Sequence, residues 1–262
     1  MALHPKASRF WHAWGVQERE TIQSEFERAA KTFAERTAGR FDHMDVVAFS
    51  GVTPGATVLE VGAGTGNFLA LFDGIAGRQI AVDLTFAMLQ QAHARNSAMN
   101  IVQADGAALP IRTRSIALAC SAQVLHHIHR PIPVLKEMRR VIGDGGRVLI
   151  VDQISPERVE ETLAMNELEL LRDPSHAMSR PPSGLRIMVA AAGLDIEAEE
   201  IHESIERFST WMSPAEFPAD RLAAVKRFVA ERGAETGMAF ERDGDDWVYT
   251  RRRIQIRARR AA

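Results

Sequence analysis

Gly62, Gly64 and Gly66 follow an apolar run in the segment VLEVGAGTG, with Glu60 inside that run. Glycines so placed let backbone amides approach a ligand closely, which is the chemistry of a nucleotide-cofactor loop. Asn67 stands where the dinucleotide fingerprint GxGxxG requires glycine, so the turn fits that fingerprint badly. Asp83 ends the next apolar run, where a carboxylate can accept hydrogen bonds from both ribose hydroxyls. Asp105 follows the third run, and its alternative use is a helix cap. Four histidines, His126, His127, His129 and His176, could take a proton near neutral pH. His126 and His127 open the helix after the fourth apolar run, on the side where substrate should lie, and His127 is the better candidate base. Capping or packing that helix is their other use. His129 is expected to face solvent. His176 follows a proline in a loop, either exposed or touching substrate.

Positioning these groups takes alternating strands and helices. Apolar runs at Thr57 to Val61, Gln79 to Val82, Asn100 to Gln103, Ile116 to Ser121 and Arg147 to Asp152 are separated by helical patterns at 67–72, 85–95 and 133–141. Strands apolar on both faces, alternating with helices, predict an α/β fold with a doubly wound, mostly parallel sheet. Helical periodicity also spans about 16–36 and 42–49, so residues 1–51 read as an N-terminal helical cap and 52–262 as the main domain. Further helices are predicted at 157–172 and 183–192, and a strand at 194–205. A helical insertion is expected at about 207–240. The run from Trp247 to Arg260 predicts a last strand with one wet face, its arginines solvated.

The chain has 262 residues, a formal net charge of −2 and a single cysteine, Cys120, within an apolar run. That length suits one sizeable α/β domain. One cysteine excludes a disulfide framework and a multi-cysteine metal site, and a reducing, cytoplasmic setting fits best. No signal-peptide pattern and no membrane-spanning apolar stretch is found, and no metal is expected. The arginines near 251–260 lack aromatic interleaving, so no nucleic-acid partner is expected.

Several motifs in order resemble the class I S-adenosylmethionine-dependent methyltransferases. Glu60 with Gly62, Gly64 and Gly66 is similar to that family's ExGxGxG loop. Val82-Asp83-Leu84 followed by Met88-Leu89 is similar to its second-strand motif, and Ala104-Asp105-Gly106 with Leu109-Pro110 to its adenine-contacting turn. Ser121 to His127, then Leu135, Glu137, Met138, Arg140 and Gly145-Gly146, resemble the fourth and fifth strand motifs of the ubiquinone/menaquinone-biosynthesis-like (methyltransferase type 11) subgroup. Arg172 to His176, RDPSH, is similar to a segment of some uncharacterised members. The resemblance covers roughly 58–152. It implies a Rossmann-like seven-stranded sheet, S-adenosyl-L-methionine as cofactor, and methyl transfer to a small organic acceptor. It further implies cofactor contacts from Glu60, Gly62, Ala63, Gly64, Asp83, Leu84, Met88, Asp105, Gly106 and Ser121.

Two departures stand out. Ile116-Ala117 replaces the Phe-Asp pair that opens the fourth strand in relatives, and Phe33 replaces a tyrosine near the cofactor carboxylate. With Trp11, Trp14 and His176, Phe33 is an expected acceptor-side residue, because the aromatic N-terminal segment of similar enzymes often roofs that pocket. Methyl transfer needs no obligatory base, so His127 and His126 are candidate proton acceptors only. Two other readings stay open: an NAD-dependent oxidoreductase, and a catalytically inactive binding protein of the same fold. Oligomeric state and the methylated atom are not encoded in any motif.

Overall fold

β1 (Thr57–Val61) lies at the middle of the parallel part of the sheet, bonded on one side to β2 (Arg78–Asp83) and on the other to β4 (Ile116–Ala122). The computed structural model describes residues 39–212 and 218–261, together with Glu20, Gln23, Ser24, Phe26 and Glu27, which are helical. The strand order is β3-β2-β1-β4-β5-β8-β6, with β3 spanning Asn100–Gln103, β5 Ile142–Gln153, β6 Leu194–Arg207 and β8 Asp246–Arg260. Strands β1 to β5 run parallel, whereas β8 is antiparallel to both β5 and β6. The order reverses between β1 and β4, and a crevice opens there beyond the carboxyl ends of the strands.

Alternation along each parallel strand divides the core. Leu59, Val61, Val148 and Ile150 face one layer, which holds α3 (Ile132–Val141) and α5 (Pro182–Ala191) through Leu135, Met138, Leu185 and Val189. Val58, Leu118, Leu149 and Val151 face the other, packed by Phe41, Phe68, Phe72 and by Leu89 of α2 (Phe86–Arg95). The short helix α1 (Val46–Ser50) is capped by Asp45 and ends at Gly51 in the left-handed region. A third apolar cluster joins α4 (Val159–Arg172), α6 (Phe208–Met212) and α7 (Ala219–Arg232) around Trp211, Phe228 and Tyr249.

Two expectations are corrected. The sheet has eight strands, because β7 (Glu241–Asp243) pairs with the start of β8 through a two-residue turn at Gly244. Nor is β8 a strand with a wet face: it lies between β5 and β6, and Arg251 and Arg253 are buried. Their charge is tolerated because carboxylates meet them. Arg251 bonds Glu169 of α4 at 2.5 Å, and Arg253 bonds Glu206 of β6 at 2.7 Å. Among the described residues, no helix is long and apolar enough to cross a membrane.

Candidate active site

The glycine loop is shaped by the strands on either side. The amides of Gly62 and Ala63 both donate to the Val82 carbonyl, at 2.8 and 2.9 Å, which turns the chain off β1. Gly62 has a φ of +75°, and a Cβ there would lie 2.4 Å from Cγ2 of Val124. Side chains are excluded at that point by both conformation and space. The Gly64 amide donates to Oδ2 of Asp83 at 2.8 Å, while Oδ1 accepts from the Thr85 amide at 2.8 Å. A carboxylate offers about four acceptor positions, so each oxygen keeps capacity for a ligand hydroxyl.

Glu60 is fully buried on β1, and its Oε2 has no hydrogen-bond partner. Burial, then the neighbouring Asp83 charge, pushes its carboxyl well above the usual range. Burial also raises Asp83, against the amide bonds that favour its ionised form. On the opposite wall Asp105 accepts from the Ala107 amide at 2.8 Å, and a Cβ on Gly106 would come within 2.7 Å of Val61. These walls enclose a cavity of about 410 Å³ reaching from Glu60 and Asp83 to His127 and Arg40.

His126 and His127 lie in a short 3-10 turn, Leu125–His127, separate from α3. Their ring centroids are 4.1 Å apart, yet they face different partners. His127 lines the cavity, its ring in a T-shaped contact with Phe26 at 5.1 Å. Its Nδ1 lies 3.1 Å from both the carbonyl oxygen and Oγ of Ser175. A carbonyl only accepts, so Nδ1 carries the hydrogen and, in the neutral ring, Nε2 carries the lone pair. Ser175 is held in turn by Asp173, whose Oδ1 accepts from its amide at 2.9 Å and its hydroxyl at 2.6 Å. Against burial, His127, Arg172 and the Ser175 hydrogen bonds hold the Asp173 carboxyl at about 2.

His126 points away from the cavity, to the buried Asp152, with Nδ1 2.5 Å from Oδ1. Burial lowers His126 well below its ordinary range and pushes Asp152 up to about 6. His176 is not an exposed loop residue. It is 5% exposed, its Nε2 lies 2.8 Å from Oδ1 of Asn166, and it is outside the cavity lining. The reason is local: the amides of Ala177 and Met178 both donate to the His126 carbonyl, folding the loop inward. His129 is exposed.

Residues 59–150 match the family model described as a methyltransferase domain. The chain is 28% identical over 169 residues to the uncharacterized methyltransferase YcgJ of Bacillus subtilis, covering 63% of this chain and 67% of that protein. It is 32% identical over 116 residues to the ubiquinone/menaquinone biosynthesis C-methyltransferase UbiE of Hahella chejuensis, covering 41% of this chain and 47% of that one. The crystal structure of the Bacillus subtilis YcgJ protein superposes with a TM-score of 0.76 at 22% identity, over 82% of this chain and 96% of that one. Residues 59–150 form a class I S-adenosylmethionine-dependent methyltransferase domain.

The cavity of this methyltransferase fits its cofactor on chemical grounds. The buried Glu60 and half-buried Asp83 carboxylates face a glycine-rich loop, and the buried Thr65 Oγ1 and Glu60 Oε2 have no partner. An ammonium and sulfonium beside those acids, with hydroxyls to satisfy the orphaned oxygens, complement that set. Glu60, Gly62, Ala63, Gly64, Asp83, Leu84, Asp105 and Gly106 all line the cavity. Met88 and Ser121 do not: Met88 is buried on α2 and Ser121 within β4, behind the wall. Trp11, Trp14 and Phe33 lie outside the described residues. Sequence reasoning missed Arg40, Thr65, Gln123 and Val124 as lining residues. The last two were accessible from their position just after β4, at the carboxyl edge of the sheet. Gln123, with a φ of +58°, is one of few non-glycine residues in the left-handed region.

Proposed function

We propose that this methyltransferase transfers the cofactor's methyl group to a small organic acceptor, releasing S-adenosylhomocysteine, and that His127 takes the proton which the acceptor loses. One observation carries the reading. A single cavity runs from the carboxylates of the glycine loop to His127, whose Nδ1 is kept as donor by a carbonyl, so that Nε2 is basic.

When bound, the cofactor supplies an electrophilic methyl group on a sulfonium. Glu60, the Gly62 to Gly64 backbone and Asp83 would hold its methionine and ribose portions, and Leu84, Asp105 and Gly106 the adenine side. The chain's own contribution is orientation and exclusion of water, since in-line displacement depends on attack geometry. Val124 seals the loop, and the edge contact of Phe26 with His127 closes the wall near the base. Asp173 and Ser175 act through His127 by fixing its tautomer.

Isothermal titration with S-adenosylhomocysteine, alongside NAD, tests the cofactor half of this reading: tight NAD binding without S-adenosylhomocysteine binding would overturn it. His127→Ala tests the other half. We expect retained S-adenosylhomocysteine affinity and at least about a hundredfold loss of acceptor-dependent S-adenosylhomocysteine formation. Undiminished turnover would remove His127 from the reaction.

A further inference from the structure

Beyond the glycine loop, the cavity wall carries a cation that the protein does not neutralise. Arg40 lines the cavity, and among the described residues it has no hydrogen bond or ion pair. Its strongest charged neighbours are Arg253, Arg172, Glu206 and Arg251, contributed by β8, α4 and β6. The acids of that group are already engaged. Glu206 accepts from Arg253 at 2.7 Å and from the Tyr249 hydroxyl at 2.8 Å. Glu169 accepts from Arg251 at 2.5 Å, with Arg172 at 3.7 Å. Arg251 is thus paired with Glu169, Arg253 with Glu206, and Arg172 with Glu169 and the nearby Asp173, whereas Arg40 has no such pair among the described residues.

A half-buried guanidinium without an anion carries a desolvation cost that no described residue offsets. Burial and then Arg253 push Arg40 down to about 9. The segment is anchored by its apolar residues, Phe41, which meets Phe68 ring to ring at 5.0 Å, and the buried Met44 and Val46. The planar fork of arginine suits two oxygens of a carboxylate or phosphate.

Resting on the methyl-transfer reading above, we propose that Arg40 receives an oxyanion of the methyl acceptor, which is thus a small organic acid bearing a carboxylate or phosphate. The charged neighbours of Arg40 include Arg253, which pairs in register with Gln153 at the carboxyl end of β5, across β4 from the β1 and β2 ends that carry Glu60 and Asp83, and this puts Arg40 on the acceptor side of the cavity. The reaction would then pair recognition at Arg40 with proton removal at His127, and neutral molecules of the same shape would be rejected for leaving the guanidinium unmatched.

The same oxyanion chemistry is offered by the cofactor's own methionine carboxylate, and the experiment separates the two. The full chain, saturated with S-adenosylhomocysteine, is titrated calorimetrically with benzoate, malonate and inorganic phosphate, and the series is repeated with Arg40→Gln and Arg40→Lys. We expect saturable binding of at least one probe to the wild type, weakened at least about tenfold in Arg40→Gln and less in Arg40→Lys. Affinity for S-adenosylhomocysteine should stay within about twofold in both variants, which also reports that they fold. Loss of S-adenosylhomocysteine affinity in Arg40→Gln with probe binding unchanged would assign Arg40 to the cofactor and overturn the proposal. Equal probe binding by all three proteins, or none by the wild type, would overturn it too. If the wild type fails to bind S-adenosylhomocysteine, the methyl-transfer reading falls instead, while the same anion titrations without it still read the role of Arg40.

Discussion

The amide of Gly64 donates to Oδ2 of Asp83 across 2.8 Å, so the acid at the end of β2 also pins the glycine loop at the end of β1. Asp83 is thus a structural part of the loop as well as a candidate ribose ligand. Asp83→Asn removes the charge and one acceptor. We expect S-adenosylhomocysteine affinity to fall at least about tenfold, as for the loss of one charged hydrogen bond. Amide hydrogen exchange at 62–66 should also accelerate without ligand. Faster exchange with unchanged affinity would limit Asp83 to holding the loop.

Gly62 faces a double restriction, a φ of +75° and Val124 within 2.4 Å of any Cβ. Gly62→Ala should cost roughly 1–3 kcal/mol of stability through backbone strain, and more from the clash. Combining it with Val124→Ala removes the clash and leaves the strain. Denaturant midpoints of the two variants should therefore differ, with the double variant more stable than the single one.

How much of this was readable beforehand depended on whether a residue's role was local. Glu60 to Thr65 of the VLEVGAGTG segment, Asp83 and Asp105 sit at strand ends that hydrophobic runs mark out, and these line the cavity. The buried arginines of β8 were misread because charged residues alternating with apolar ones look like a solvated face. What hides them is the position of β8 between β5 and β6, and partners such as Glu169, 82 residues away in sequence. His176 was misread for a similar reason: a Pro-Ser segment looks like surface loop until Asn166 of α4 is seen beside it. Arg40 belongs to no motif, and only its place on the cavity wall without an ion-pair partner among the described residues gives it meaning.

That buried network makes a pH prediction. Although burial opposes it, Arg251 and Arg172 hold the Glu169 carboxyl at about 2, below its ordinary 4.5. Asp173 is likewise held at about 2, against 3.8. A depressed carboxylate contributes stability that is fully present above the unfolded pKa and lost as pH falls through the folded one. Unfolding free energy measured in urea should therefore drop between about pH 4.5 and pH 2, by on the order of 3 kcal/mol for Glu169 alone. Asp152, raised to about 6, works in the opposite sense as pH falls through its own range. Glu169→Gln should flatten the acid limb. It should also destabilise at neutral pH, because Arg251 loses its counter-ion inside the protein.

The Ser175 carbonyl and hydroxyl both lie 3.1 Å from Nδ1 of His127, and this redundancy distinguishes two substitutions. Ser175→Ala keeps the carbonyl, so the Nε2 lone pair should persist. Asp173→Ala frees the whole turn, since the Ser175 amide and hydroxyl both lean on it. Nitrogen-15 chemical shifts of the His127 ring should show one tautomer in the wild type and Ser175→Ala, and a mixture in Asp173→Ala. A mixture already present in the wild type would contradict the assignment.

The place of β8 in the sheet bears on how the protein is made. Because β8 lies between β5 and β6, a ribosome that has finished β6 has produced a strand with no neighbour to bond and left β5 with an open edge. Sheet closure must wait for β8, as must the arrival of Arg251 beside Glu169 and Arg253 beside Glu206. During that interval Glu206 lacks Arg253 and Glu169 has only Arg172, and an unpaired edge is open to other chains. Misfolding risk in this protein is thereby concentrated in the moments before the β8 segment clears the exit tunnel.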